Sequence, residues 1–199
     1  MLLTVIVSAA ANAHNFLQSS EAFAGYREDV SLLVTHGCKG SPVIEVRLKV
    51  PEGVTSARPH NNQNWEIETK MKKLDEPIKA EGGRVVSEIV DQIIWKNPKR
   101  AMPDNMYETF VVRMMLPDTP GDILYFQSIN ICENGERDAY IDLPENGLSI
   151  TDPKFAEKTW AFMTATATPA PFLILRAAPK KQYPWQWTPA EAAGAVATP

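Results

Sequence analysis

Residues 44–50 alternate without a break: Ile44, Val46, Leu48 and Val50 are apolar, while Glu45, Arg47 and Lys49 are charged. A segment with that period has one face to bury and one to show to water, the pattern of a strand in an antiparallel sheet. Val30, Leu32 and Val34 repeat it. Further strand-like runs are 65–69, 84–95, 108–116, 122–131, 137–143 and 158–166, with a short last one at 172–175. Turn chemistry separates them. Pro51-Glu52-Gly53, Glu81-Gly82-Gly83, Pro117 to Gly121 and Pro144 to Gly147 carry the residues that tight turns demand. Asn134-Gly135 between two runs is a hairpin signal, because both residues tolerate positive φ. Eight or nine short strands at this spacing predict an all-β chain folded as an antiparallel β-sandwich.

The length, 199 residues, suits one domain with a tail. With 24 acidic against 20 basic side chains and no basic stripe, the surface is wrong for nucleic acid. No apolar run approaches the roughly 20 residues of a membrane-spanning helix.

The two ends differ from the middle. Residues 2–11 are apolar and small, and Ala11-Asn12-Ala13 has the form of a signal-peptide cleavage site. No Lys or Arg precedes the apolar stretch, so residues 1–13 are expected to be the remainder of a longer signal peptide. The competing reading is an ordinary first strand over 3–7. Exported, the chain would work in a periplasm or outside the cell. From Ala177 onward, Pro179, Pro184, Pro189 and an Ala/Gly-rich end predict a flexible Pro/Ala-rich tail over 177–199. Its Tyr183, Trp185 and Trp187 either dock back on the sandwich or meet a partner.

The chain has three histidines. Cleavage after Ala13 would make His14 the first residue, with an α-amine and a ring Nδ1 able to chelate one ion. Such amines have pKa values near 8 and imidazoles near 6.5, so a metal displaces few protons at neutral pH. Nitrogen donors in a tetragonal set suit Cu(II), and a second histidine would complete a three-nitrogen brace. His36 ends a strand candidate and opens the loop His36-Gly37-Cys38. His60 sits in a polar loop and reads as exposed. Cys38 and Cys132 in an exported chain suggest one disulfide; two thiolates for Cu(I) are the rival reading. Phosphate-binding glycine loops, nucleophile elbows and paired-histidine zinc motifs are missing.

Taken together, these motifs resemble the YcnI-like family of exported copper-binding domains. The resemblance runs over about residues 14–175. It rests on the cleavage site with His14, Ser20-Glu21-Ala22-Phe23-Ala24-Gly25, His36-Gly37-Cys38-Lys39-Gly40-Ser41-Pro42 and Val50-Pro51-Glu52-Gly53-Val54. Asn64-Trp65, Ile94-Trp95 and Leu116-Pro117-Asp118-Thr119-Pro120-Gly121 continue it. Cys132-Glu133-Asn134-Gly135-Glu136, Ile141-Asp142-Leu143-Pro144 and Pro169-Ala170-Pro171 complete it. The resemblance implies an immunoglobulin-like sandwich over 14–176 that binds Cu(II) through His14. At least some members take a second ligand from an acidic residue in the loop after the second strand; here His36 is the obvious donor. Tyr140 stands where many members have a tryptophan beside the metal, and can cap the site or approach it axially. Glu21 is a weaker candidate.

The implied function is a carrier that holds copper and passes it to other copper carriers or importers of the cell envelope, without catalysing a reaction. The alternatives are a brace-type copper oxidoreductase and a metal-free interaction module.

Overall fold

The computed structural model describes residues 14–79, 83–97 and 99–194. The expected signal segment 1–13 lies outside the described residues, as do Glu81 and Gly82 of one expected turn.

Among the described residues, twelve strands form three antiparallel-rich sheets. One has the order β1-β3-β8-β5: β1 (Phe16–Leu17), β3 (Arg27–Val34), β8 (Glu108–Met115) and β5 (Ser56–Pro59). The second has the order β11-β10-β4-β7-β6: β11 (Arg137–Tyr140), β10 (Ser128–Cys132), β4 (Val43–Lys49), β7 (Val85–Lys96) and β6 (Glu66–Lys79). A third places β12 (Phe172–Arg176) between β2 (Glu21–Phe23), to which it is parallel, and β9 (Ile123–Tyr125).

The alternation read from the sequence is the alternation of burial. Val30, Leu32 and Val34 of β3, Val46 and Leu48 of β4, and Phe110, Val112 and Met114 of β8 all lie in one apolar core. Trp65 and Trp95 both pack their rings against Phe110, with centroids 5.1 Å apart in each pair. Burial of such side chains contributes roughly 1.5–3 kcal/mol each.

Three expectations need correction. Residues 122–131 are not one strand. β9 pairs with β12, Phe126 is buried and donates its N–H to the Pro171 carbonyl at 2.7 Å, and β10 then starts in another sheet. The strand changes sheets at a corner, which a continuous apolar pattern cannot reveal. Residues 158–166 are not a strand: α1 (Phe155–Ala165) runs through them. Thr159, Trp160 and Phe162 favour strands, but Ala156, Glu157, Lys158, Ala161, Met163 and Ala165 favour helix. Asp152 steadies the start by accepting the Lys154 N–H at 2.8 Å and pairing with Lys158. None of the helix's residues is buried, so no core contact enforced an extended form. Thirdly, β6 extends to Lys79, ten residues past the expected end at Thr69.

In the tail segment a 3-10 turn at Pro184–Gln186 is followed by α2 (Pro189–Gly194). The segment is tied to the sandwich by backbone and amide rather than by its rings. Gln182 Oε1 accepts the Arg27 N–H and Gln182 Nε2 donates to the Arg27 carbonyl, both at 2.8 Å. The Tyr26 hydroxyl donates to the Lys180 carbonyl at 2.6 Å. Tyr183 and Trp185 stack on each other, and Trp185 stays exposed.

Candidate metal centre

β10 organises one end of the sandwich. Its sequence Ser128-Ile129-Asn130-Ile131-Cys132 is unusual for a strand with an inward face, because the inward positions are Ser128, Asn130 and Cys132, all at most 1% exposed. Between them the three hold two parts of the site.

Cys132 forms the disulfide with Cys38, and its sulfur accepts the Cys38 N–H at 3.0 Å. This fixes the loop that follows β3 and carries His36. Gly37 makes that loop obligatory: a Cβ there would lie 1.9 Å from the Ser41 carbonyl oxygen. Its N–H is donated to Asp104 Oδ1 at 3.0 Å, so a second loop, following β7, closes on the first.

Ser128 and Asn130 hold the start of the described chain. Asn15 Nδ2 donates to Ser128 Oγ at 2.9 Å and to Asn130 Oδ1 at 3.1 Å. Asn130 Nδ2 returns a bond to Asn15 Oδ1 at 3.1 Å. The Thr35 hydroxyl donates to the His14 carbonyl at 3.1 Å, and β1 then pairs with β3. His14 is consequently buried rather than trailing into water.

Tyr140 stands between the two histidines. It is opposite Ser128 in the β10–β11 hairpin and 2% exposed. His36 Nδ1 lies against the Gly37 carbonyl, which can only accept, so the neutral ring presents its Nε2 lone pair. The Tyr140 hydroxyl donates to that nitrogen at 3.2 Å. The His14 ring meets the Tyr140 ring edge-on, with centroids 6.1 Å apart, and the Phe16 ring edge-on at 6.3 Å. Burial, and secondarily the charge of Asp138, pushes the Tyr140 phenol far above its usual range, so it remains a donor. Burial, and secondarily the neighbouring His36, holds His14 below the usual imidazole value of 6.5.

Four described side chains have a buried nitrogen or oxygen without a hydrogen-bond partner, namely His14, Trp65, Tyr125 and Thr159, and of these His14 belongs to this end of the sandwich. His14 Nδ1 is buried and has no hydrogen-bond partner among the described residues. Buried polar atoms are almost always paired, so an orphaned one needs an explanation. An imidazole held toward its neutral form, with a buried nitrogen that no described residue pairs and a second imidazole nearby, has the chemistry of a nitrogen donor to a metal ion. No group of three or more His, Cys, Asp and Glu side chains that could hold a metal exists among the described residues. His14 and His36 are the two imidazoles that this end of the sandwich brings near each other.

The other residues named from the sequence lie elsewhere. Glu21, on β2, is exposed and pairs with Arg176 at 3.6 Å. His60 follows β5, the edge of its sheet opposite β1, and is exposed. The thiolate reading of the cysteines falls, since both are in the disulfide. Asn15, Ser128, Asn130 and the constraint on Gly37 went unread. A period-two strand with polar residues on one face and apolar Ile129 and Ile131 between them was the available signal for two of them.

No curated protein sequence matches the chain. The crystal structure of an uncharacterized protein from Nocardia farcinica, described as revealing an immunoglobulin-like fold, superimposes with a TM-score of 0.57 at 17% identity. The match covers 82% of this chain and 99% of that one, and shows that this sandwich is immunoglobulin-like. A putative membrane anchored protein from Corynebacterium diphtheriae aligns with a TM-score of 0.40 at 14% identity, over 71% of this chain and 36% of its own. No described helix is long and apolar enough to cross a membrane. From residue 14 to residue 158 the chain matches the family described as a domain of unknown function, DUF1775, the YcnI-like family that its motifs resemble, and it belongs to that family.

Proposed function

We propose that this protein is an exported copper carrier that holds Cu(II) through the α-amine and Nδ1 of His14 and the Nε2 of His36. The carrying observation is the Nδ1 of His14, buried and without a partner among the described residues. Its position beside His36, and at the first residue of the family match, supports the reading. The disulfide supports export, because such bonds persist in oxidising compartments. The α-amine exists only after cleavage behind Ala13, so the processed chain is the binding form.

The residues divide the work. His14 supplies two nitrogens from one residue and His36 the third, an arrangement suited to the tetragonal preference of Cu(II). Tyr140 must give up its bond to His36 Nε2 when copper arrives. That exchange costs a hydrogen bond and favours release to a partner with stronger donors. Those partners are copper carriers or importers of the cell envelope.

The test compares a chain beginning at His14 with one that keeps Ala13 and several residues before it. Cu(II) titration and electron paramagnetic resonance should give tight one-to-one binding with nitrogen splitting in the first, and weaker, altered binding in the second. Equal binding by both removes the amine from the site. No specific binding by either defeats the copper reading.

A further inference from the structure

We infer that Asn15, Ser128 and Asn130 are positioning residues that lock His14 at its site before any metal arrives. The purpose of this lock rests on the copper reading above; its geometry does not.

In the processed chain of the proposed function His14 becomes the chain end, ordinarily the least ordered part of a domain, since the first residues lose much entropy when fixed and gain few contacts. Here the residue next to His14 is 1% exposed and projects from the β1 end of one sheet onto β10 of another. Both protons of Asn15 Nδ2 are used, one on Ser128 and one on Asn130, and its Oδ1 takes the return bond. An amide satisfied on both sides in one buried arrangement has no alternative rotamer of equal energy. Placing three polar side chains in a sandwich interior is expensive unless every bond is made. Leucine or valine would fill the same space and stabilise the fold more simply. The polar choice specifies one position of residue 15.

That position fixes His14 from one side, and the bond from Thr35 to the His14 carbonyl fixes it from the other. What remains mobile is the ring, and Tyr140 and Phe16 flank it. The entropy of ordering the chain end is thus lost on folding and not on binding. Preorganisation of this kind raises affinity without adding a ligand contact. The same strand fixes the partner ligand through Cys132. β10 therefore sets the separation of His14 and His36 from a single rigid element.

The experiment uses the chain beginning at His14, with Asn130→Leu and Ser128→Ala as test variants and Val112→Ala, in the apolar core, as a control of comparable stability loss. Nuclear magnetic resonance of the metal-free proteins follows the His14 ring and the Asn15 amide, and Cu(II) titration with electron paramagnetic resonance follows the site. Asn130→Leu should broaden or multiply the His14 signals, weaken Cu(II) binding by about tenfold, and blur the nitrogen splitting. Ser128→Ala should do the same to a smaller degree, and it carries the test if Asn130→Leu does not fold. Val112→Ala should lower the melting temperature while leaving the signals and the affinity in place. Sharp, unshifted His14 signals in both test variants, or equal losses of affinity in the control, overturn the assignment. If the parent chain takes up no Cu(II), the proposed function fails, while the His14 signals still decide whether these residues position it.

Discussion

The β10–β11 hairpin and the β6–β7 ribbon form the two outer sides of one five-stranded sheet, and they are built on opposite plans. β10 is buried at every inward position and tied to Asn15, to the His36 loop and to its neighbour β4. The β6–β7 ribbon leaves the sandwich. The pairing of β4 with β7 ends at Lys49–Gln92, yet β6 and β7 pair on to Lys79–Val85. Beyond that point no described residue is buried, and Met71 and Val85 are exposed. The lesson is that a sheet edge becomes a site when its side chains have an interior to specify. A two-stranded ribbon with water on both faces is marginal by itself and specifies little.

The largest break in this contrast should come from replacing both Cys38 and Cys132 by Ala. The bond joins residues 94 apart, so its loss should cost about 4.6 kcal/mol in the chain-entropy model. Chemical denaturation measures it, and Cu(II) affinity should fall along with stability because the His36 loop is released. A loss below about 1 kcal/mol would show that the rest of the β10 end holds the loop unaided.

Gly37→Ala comes next. The added methyl cannot fit beside the Ser41 carbonyl, so the loop must shift, at a cost of about 1–3 kcal/mol typical of overpacking. We expect weaker copper binding with the disulfide intact. Unchanged affinity would place His36 outside the site.

A smaller effect concerns pH. His14 titrates lower in the folded chain than its ordinary value of 6.5. Between the two values the unfolded chain carries more protons, so stability is full above the ordinary value and falls as pH drops through the window below it. Melting of the metal-free protein should therefore show a decline on acidification below about pH 6.5 that His14→Gln flattens. A parallel decline in both proteins would assign the effect to other groups.

The smallest effect should come from the ribbon. Replacing residues 74–87 by an Asn-Gly turn removes strand without removing core, and we expect the melting temperature and copper affinity to hold. A large drop in either would show that the ribbon supports the sandwich.

How much of this was legible follows from where water lies. Period-two alternation at 30–34 and 44–50 betrayed strands with one wet and one dry face. The ribbon beyond Thr69 was silent, because Lys70, Lys72, Lys73, Asp75 and Glu76 face water on a segment that has no dry side. α1 was misread for a related reason: with nothing buried, its apolar residues carried no helical period. The histidines and cysteines were legible because their chemistry is rare enough to stand out by type. Asn15, Ser128 and Asn130 were not, since Asn and Ser are commonplace on surfaces.

The sequence by itself determined the sandwich class, the hairpin at Asn134-Gly135, and the residues able to pair as a disulfide, Cys38 and Cys132. These follow from local pattern and chemical type, which travel with the residues wherever they go. Only the tertiary structure decided that Tyr140 lies between the histidines, that Glu21 belongs to Arg176, and that Ser128 and Asn130 hold Asn15, the residue next to His14. The reason is distance along the chain. Asn15 and Asn130 are 115 residues apart, and a hydrogen bond needs contact, which only the packing of one sheet on another provides.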